Sequence, residues 1–72
     1  MGKSSINSNL AKRIKALRLS HGLTQEQLAE KIKTSYKYMQ RLESKNPPDM
    51  RVSTLERLSL ALKTTPDKLL DF

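Results

Sequence analysis

A chain of 72 residues makes one small domain, and with no cysteine and a single histidine, His21, it offers neither a disulfide nor a thiolate metal site. Fourteen Lys and Arg against seven Asp and Glu give a formal charge of +7, and no apolar run approaches the length of a membrane span. Residues 1–45 hold ten basic and three acidic residues while residues 46–72 hold four of each, so the whole excess lies on the N-terminal part, the electrostatic footprint of a polyanion binder.

Charge alone does not separate such a binder from a Lys-rich soluble surface, so the elements have to decide. Residues 1–7 are polar and predict a flexible arm, with residues 8–72 forming the folded domain. The arm carries no secretory signal, and Ile6 stands where a myristoylation pattern starting at Gly2 wants Ser or Thr. The expected location is the cytoplasm. Asn7 or Ser8 can cap a first helix. Leu10, Ile14 and Leu17 repeat at i, i+4, i+7 and make its core stripe, with Lys12, Arg13 and Lys15 on the other side. Arg18 falls four after Ile14, at the core edge, where a charge needs a partner. His21 lies in the last turn, where it can meet free carbonyls, and Gly22 is placed for a left-handed C-cap.

Thr24–Glu43 then reads as two short helices with a tight turn between them. Thr24 is an N-cap, Gln27 three residues later completes a capping box, and Leu23 and Leu28 occupy the staple positions. Helix 2 covers about Gln25–Lys31, with Leu28, Ala29 and Ile32 as its buried stripe. Either hydroxyl of Thr34-Ser35 can cap helix 3, about Tyr36–Ser44, in which Met39 and Leu42 share the inward face. Glu43, four after Met39, comes to the core edge. Tyr36, Lys37, Gln40, Arg41 and Ser44 follow i, i+1, i+4, i+5, i+8 and turn outward, while Tyr38 is half core.

Pro47 and Pro48 stop helix 3 and stiffen a loop over residues 45–51. Met50 or Val52 folds back as a core plug. Ser53-Thr54-Leu55-Glu56 reads as a second capping box that opens helix 4, whose inward face is Leu55, Leu58, Ala61 and Leu62, with Leu60 on the far side. Thr65-Pro66 gives helix 5 a cap followed by Pro at N1. Leu69, Leu70 and Phe72 are more apolar groups than one short terminal helix can bury, so some of them are expected at a subunit contact. The fold class is all-α: five helices in one bundle.

Taken as a set, Leu23, Thr24, Gln25, Leu28, Ala29, Ser35, Leu42 and Glu43, followed by Leu55, Leu58, Ala61, Leu62 and Leu69, resemble the DNA-binding domain of the phage-repressor/Cro-like (XRE) helix-turn-helix family. The resemblance runs from about Leu10 to Leu70. Two positions depart from the family's pattern. Lys33 stands in the turn where Gly is usual, and Ser44-Lys45-Asn46 follow Glu43 where Gly tends to come. A left-handed non-Gly residue costs something like 1 kcal/mol, which the fold can absorb.

The resemblance implies a lambda-repressor-like five-helix bundle, an Arg18–Glu43 ion pair joining helix 1 to helix 3, and binding of double-stranded DNA through the major groove by helix 3. Tyr36, Lys37, Gln40 and Arg41 are the expected base contacts: Arg41 matches guanine in a bidentate manner, Gln40 matches adenine, and Tyr36 brings a hydroxyl and a ring that suits a thymine methyl. Gln25, Ser35, Ser44, Lys45, Asn46 and Arg51 are the expected backbone contacts. The family also implies a homodimer on a palindromic operator, with Leu60, Leu69, Leu70 and Phe72 as the expected interface. No metal, cofactor or small-molecule ligand is expected. An enzyme is not expected either, because there is no GxSxG serine, no metal-ligand set and no Gly-rich phosphate loop. The rival from another class is a protein-interaction module on the same fold. That would want helix 3 apolar or acidic outward, and here it is basic and polar. An RNA binder is a weaker third, for want of an aromatic stacking platform.

Overall fold

The computed structural model describes residues 2–71, and side chains from Ile6 to Asp71. Five helices follow in order: α1 (Gly2–Ser20), α2 (Gln25–Lys31), α3 (Tyr36–Leu42), α4 (Val52–Ala61) and α5 (Pro66–Leu69). No strand occurs among the described residues. α2 packs chiefly against α3, α4 against α5, and α1 also reaches α5. The apolar stripes meet in one core of Leu10, Ile14, Leu28, Ala29, Ile32, Met39, Leu42, Leu58, Leu62 and Leu69. Leu17, Leu23, Tyr38, Met50, Leu55 and Ala61 pack against it from the edge.

α1 begins at Gly2, so Asn7 and Ser8 lie inside the helix and do not cap it. No proline interrupts residues 2–9. Once Leu10 and Ile14 anchor the packed part, each further residue adds one backbone hydrogen bond to an existing nucleus. Asn7 instead donates from Nδ2 to Asp49 Oδ1 at 2.8 Å, tying α1 to the loop before α4.

Three helices end in the same way. Gly22 amide to Leu19 carbonyl and Leu23 amide to Arg18 carbonyl form the paired bonds of a Schellman motif, with Gly22 at φ +68. Lys33 to Glu30 with Thr34 to Ala29 repeats it, as does Lys63 to Leu60 with Thr64 to Ser59. Lys33 and Lys63 carry φ of 58 and 55 at the position glycine usually takes. The family's glycine turn is thus kept in shape without its glycine, by a lysine held in the left-handed region through those two bonds.

The start of α4 differs from expectation. Its N-cap is Arg51, without a side-chain cap bond, so Ser53 is the second residue of the helix and the Ser53–Glu56 capping box is not formed. The entry is set by packing upstream. Pro47 is buried and Met50 packs against the core, and the chain turns into the helix as soon as Met50 has reached it. Met50 is therefore the plug, while Val52 is 74% exposed. His21 also differs: its Nε2 lies 2.8 Å from the Leu62 carbonyl at the end of α4, a different helix from the one it follows. Thr65 caps α5 with Pro66 at N1, and the Thr65 hydroxyl beside Asp67 holds that carboxyl below the usual carboxylate range.

Candidate nucleic-acid interface

α2 and α3 are held as a unit by local chemistry. Thr24 Oγ1 accepts from the Gln27 amide at 3.1 Å, and Gln27 Oε1 accepts from the Thr24 amide at 2.9 Å, so both halves of the capping box are present. Of the two candidate caps on α3, Ser35 is the one used; its Oγ accepts from the Tyr38 amide at 3.1 Å. Because that hydroxyl only accepts, its own proton stays available to an outside acceptor. Leu28, Ala29, Met39 and Leu42 face the core and fix the rotation of both helices.

That rotation sends Tyr36, Lys37, Gln40 and Arg41 outward. All four are exposed, and among the described residues none of these side chains hydrogen-bonds within the chain. Ser44, Lys45 and Asn46 continue the exposed run past the end of α3, and Arg51 is exposed at the cap of α4. Ser44 Oγ donates to the Arg41 carbonyl at 2.7 Å and closes the helix end. Tyr38 is half-buried against the core.

Behind this surface lies a buried polar brace. Arg18 Nε donates to Glu43 Oε2 at 2.7 Å and Nη2 to Oε1 at 3.0 Å, a bidentate pair, with the side chains 8% and 2% exposed. Arg18 Nη1 donates to the Leu23 carbonyl at 2.7 Å, and Gln25 Nε2 donates to Glu43 Oε1 at 3.1 Å. Glu43 is the C-cap of α3, Arg18 belongs to α1, and Gln25 opens α2. One carboxylate therefore locks three helices together and sets the pose of α3 from behind. Gln25 reaches inward to this brace with one amide hydrogen, a role the sequence did not suggest.

The expected subunit contact divides. Leu60 is 80% exposed and Leu70 42% exposed, but Leu69 is 0% exposed and belongs to the chain's own core, so it is removed from the interface. α5 is a single turn, and the residue of that turn facing α1 and α4 is Leu69. Phe72 lies outside the described residues.

Arg13, read from the sequence as part of an outward basic face, instead turns toward α5. Its Nη2 donates to the Lys68 carbonyl at 3.1 Å and the Asp71 carbonyl at 2.8 Å, satisfying acceptors that a helix end leaves open. No spacing rule in the sequence distinguishes it from Lys12 or Lys15.

Two helices joined by a tight turn, the second with a basic, unpaired outer face on a rigid scaffold, define a helix-turn-helix DNA-binding domain. The helix-turn-helix family profile matches residues 14–69, and the chain belongs to that family, the XRE/Cro-like group. Among solved structures it is similar to the hypothetical transcription factor NHTF from Neisseria, with a TM-score of 0.84 and 26% identity over 90% of this chain and 72% of that one. No curated protein sequence matches. Family and fold together support a DNA-binding transcriptional regulator. Among the described residues no helix is long and apolar enough to cross a membrane.

Proposed function

We infer that the protein is a sequence-specific regulator of transcription in the cytoplasm, which places α3 in the major groove of a palindromic operator and binds as a dimer. The observation that carries this reading is the outer face of α3. Tyr36, Lys37, Gln40 and Arg41 are exposed and free of intramolecular bonds, while the helix beneath them is fixed by Met39, Leu42 and the Glu43 brace. Unpaired side chains on a helix whose own position is fixed are what base reading requires, since contact then has to order only the side chains, at about 0.5–1.5 kcal/mol each, and not the backbone that carries them.

In this reading Arg41 takes guanine through its guanidinium fork and Gln40 takes adenine through its amide, with Lys37 on guanine or phosphate and Tyr36 at a thymine methyl or phosphate. Ser35 and Gln25 at the starts of the two helices, and Ser44, Lys45, Asn46 and Arg51 after α3, position the duplex through its backbone. Two subunits then meet half-sites about 34 Å apart, through Leu60, Leu70 and Phe72. A sedimentation measurement finding only monomer, both free and on DNA, would remove the dimer.

Base reading is tested with duplexes selected from a random pool. Arg41→Ala should weaken the selected site by about 1–3 kcal/mol and relax the preference at one base pair. Lys45→Ala should weaken every duplex alike and lower the salt slope by about 1. If the two variants behave identically on selected and random duplexes, α3 does not read bases.

A further inference from the structure

A second basic surface lies beside α3 and belongs to α1. Lys12 and Lys15, three apart on one face of α1, form one wall of a cleft whose other wall is Ser44 and Lys45. All three lysines are exposed. The carboxylate in the cleft is Glu43, and both of its oxygens are already held by Arg18, with Gln25 adding a further bond to one of them. Among the described residues the lysines form no ion pair of their own. The cleft thus gathers three like charges with no compensating partner, although such a cluster repels itself. Glu43 cannot neutralise it without giving up the brace that holds α3.

The wall formed by Ser44 and Lys45 is the continuation of the outer face of α3, past the end of that helix. The cleft therefore adjoins the surface on which a duplex would lie against Tyr36, Gln40 and Arg41, within reach of the sugar-phosphate backbone that borders the groove. Each strand carries one phosphate per roughly 3.4 Å of axis, so a backbone passing this cleft offers its lysines several phosphates in succession. We propose that Lys12 and Lys15 of α1, facing Lys45 across this cleft, bind the phosphodiester backbone of the duplex that α3 enters, and so extend the DNA footprint from the helix-turn-helix onto α1.

The proposal rests on the DNA-binding reading, but its failure is separable from the failure of base reading. The contact is to phosphate, so it contributes affinity and salt dependence without sequence preference. It also gives the N-terminal part of the chain a use for its surplus charge that the helix-turn-helix alone does not account for.

The test measures affinity for the selected duplex and for a random duplex over a salt series. The proteins are the wild type, a double variant Lys12→Gln with Lys15→Gln, and Lys68→Gln, which makes the same kind of charge change on α5, away from the cleft. Each lysine on a phosphate should lower the slope of log affinity against log salt by about 0.9 per bound subunit. Between about 50 and 200 mM salt, the wild type should then lose roughly tenfold more affinity per subunit than the double variant does. The ratio of selected to random binding should be unchanged, and Lys68→Gln should keep the wild-type slope.

An unchanged slope in the double variant overturns the inference while leaving operator binding intact. So does a drop for Lys68→Gln of about half that of the double variant, one charge against two, which would make the effect one of net charge. A drop in selected-site binding alone would mean that these lysines read sequence, and would likewise overturn it. Loss of preference in the Arg41 variant bears on base reading only. A wild-type protein that binds no duplex sinks both readings. Lys12, Lys15 and Lys68 are all exposed, so the substitutions should leave the fold intact, which circular dichroism of each variant checks.

Discussion

Replacing Glu43 by alanine removes the acceptor for Arg18 Nε at 2.7 Å, for Arg18 Nη2 at 3.0 Å and for Gln25 Nε2 at 3.1 Å. The Arg18 side chain, 8% exposed, keeps the Leu23 carbonyl as a partner but loses its counter-charge. A buried charge stranded in this way costs about 3–5 kcal/mol. A domain of this length has on the order of 4–11 kcal/mol of total stability, so the loss is a large fraction of the whole. The melting temperature should fall by about 12 °C or more, at about 4–8 °C per kcal/mol for so small a domain. The assays are a urea melt for the free energy and a thermal melt for the midpoint, both followed by circular dichroism at one fixed protein concentration so that any self-association contributes equally. Glu26→Ala, on the exposed side of α2, is the control and should stay within about 0.5 kcal/mol. Arg18→Met combined with Glu43→Leu should recover most of the loss, since an apolar pair needs no desolvated charge. A loss below about 1 kcal/mol for Glu43→Ala is the range of exposed pairs and refutes the reasoning. So does a loss that largely disappears in high salt, because a buried pair is weakly screened.

Other consequences follow from the caps, the anchor of α5 and the core. Gly22→Ala should lower stability by about 1 kcal/mol or more through backbone strain alone, because nothing lies within 4 Å of the added Cβ. Lys33→Gly and Lys63→Gly, at φ of 58 and 55, should raise stability by up to about 1 kcal/mol each. Urea melts that find all three changes neutral would rule out left-handed caps in solution. Arg13→Gln releases the Lys68 and Asp71 carbonyls, so amide exchange at Leu69 and Leu70 should quicken while α2 and α3 keep their protection. A uniform change along the chain would show instead that Arg13 supports the whole fold. Leu69→Ala should cost about 2–5 kcal/mol, and Leu60→Ala under about 0.5 kcal/mol in the monomer, by the same melts. Equal costs would contradict the division between core and surface.

What the amino-acid order determined by itself is whatever depends on neighbours in the chain. Thr24, Gln27, Leu23 and Leu28 contain every atom of the first capping box and staple, so α2 starts where they predict. Met39 and Leu42 fix which side of α3 turns inward, and hence that Tyr36, Lys37, Gln40 and Arg41 turn out. Gly22 signals the end of α1 for the same local reason.

Where two parts of the chain compete for one position, local pattern is silent. Ser53–Glu56 has the residues of a capping box, yet the burial of Pro47 and the packing of Met50 against the core edge decide where α4 begins. Leu69 and Leu70 sit in a single turn, too short for periodicity to sort core from surface, and only the position of α1 and α4 makes Leu69 internal. Arg13 reaching the end of α5, Gln25 reaching Glu43, and the cleft between Lys12, Lys15 and Lys45 all join residues far apart in sequence. Such contacts come into being when the helices pack. Hydrophobic burial drives that packing without direction, and it is the packed geometry that selects which polar groups meet.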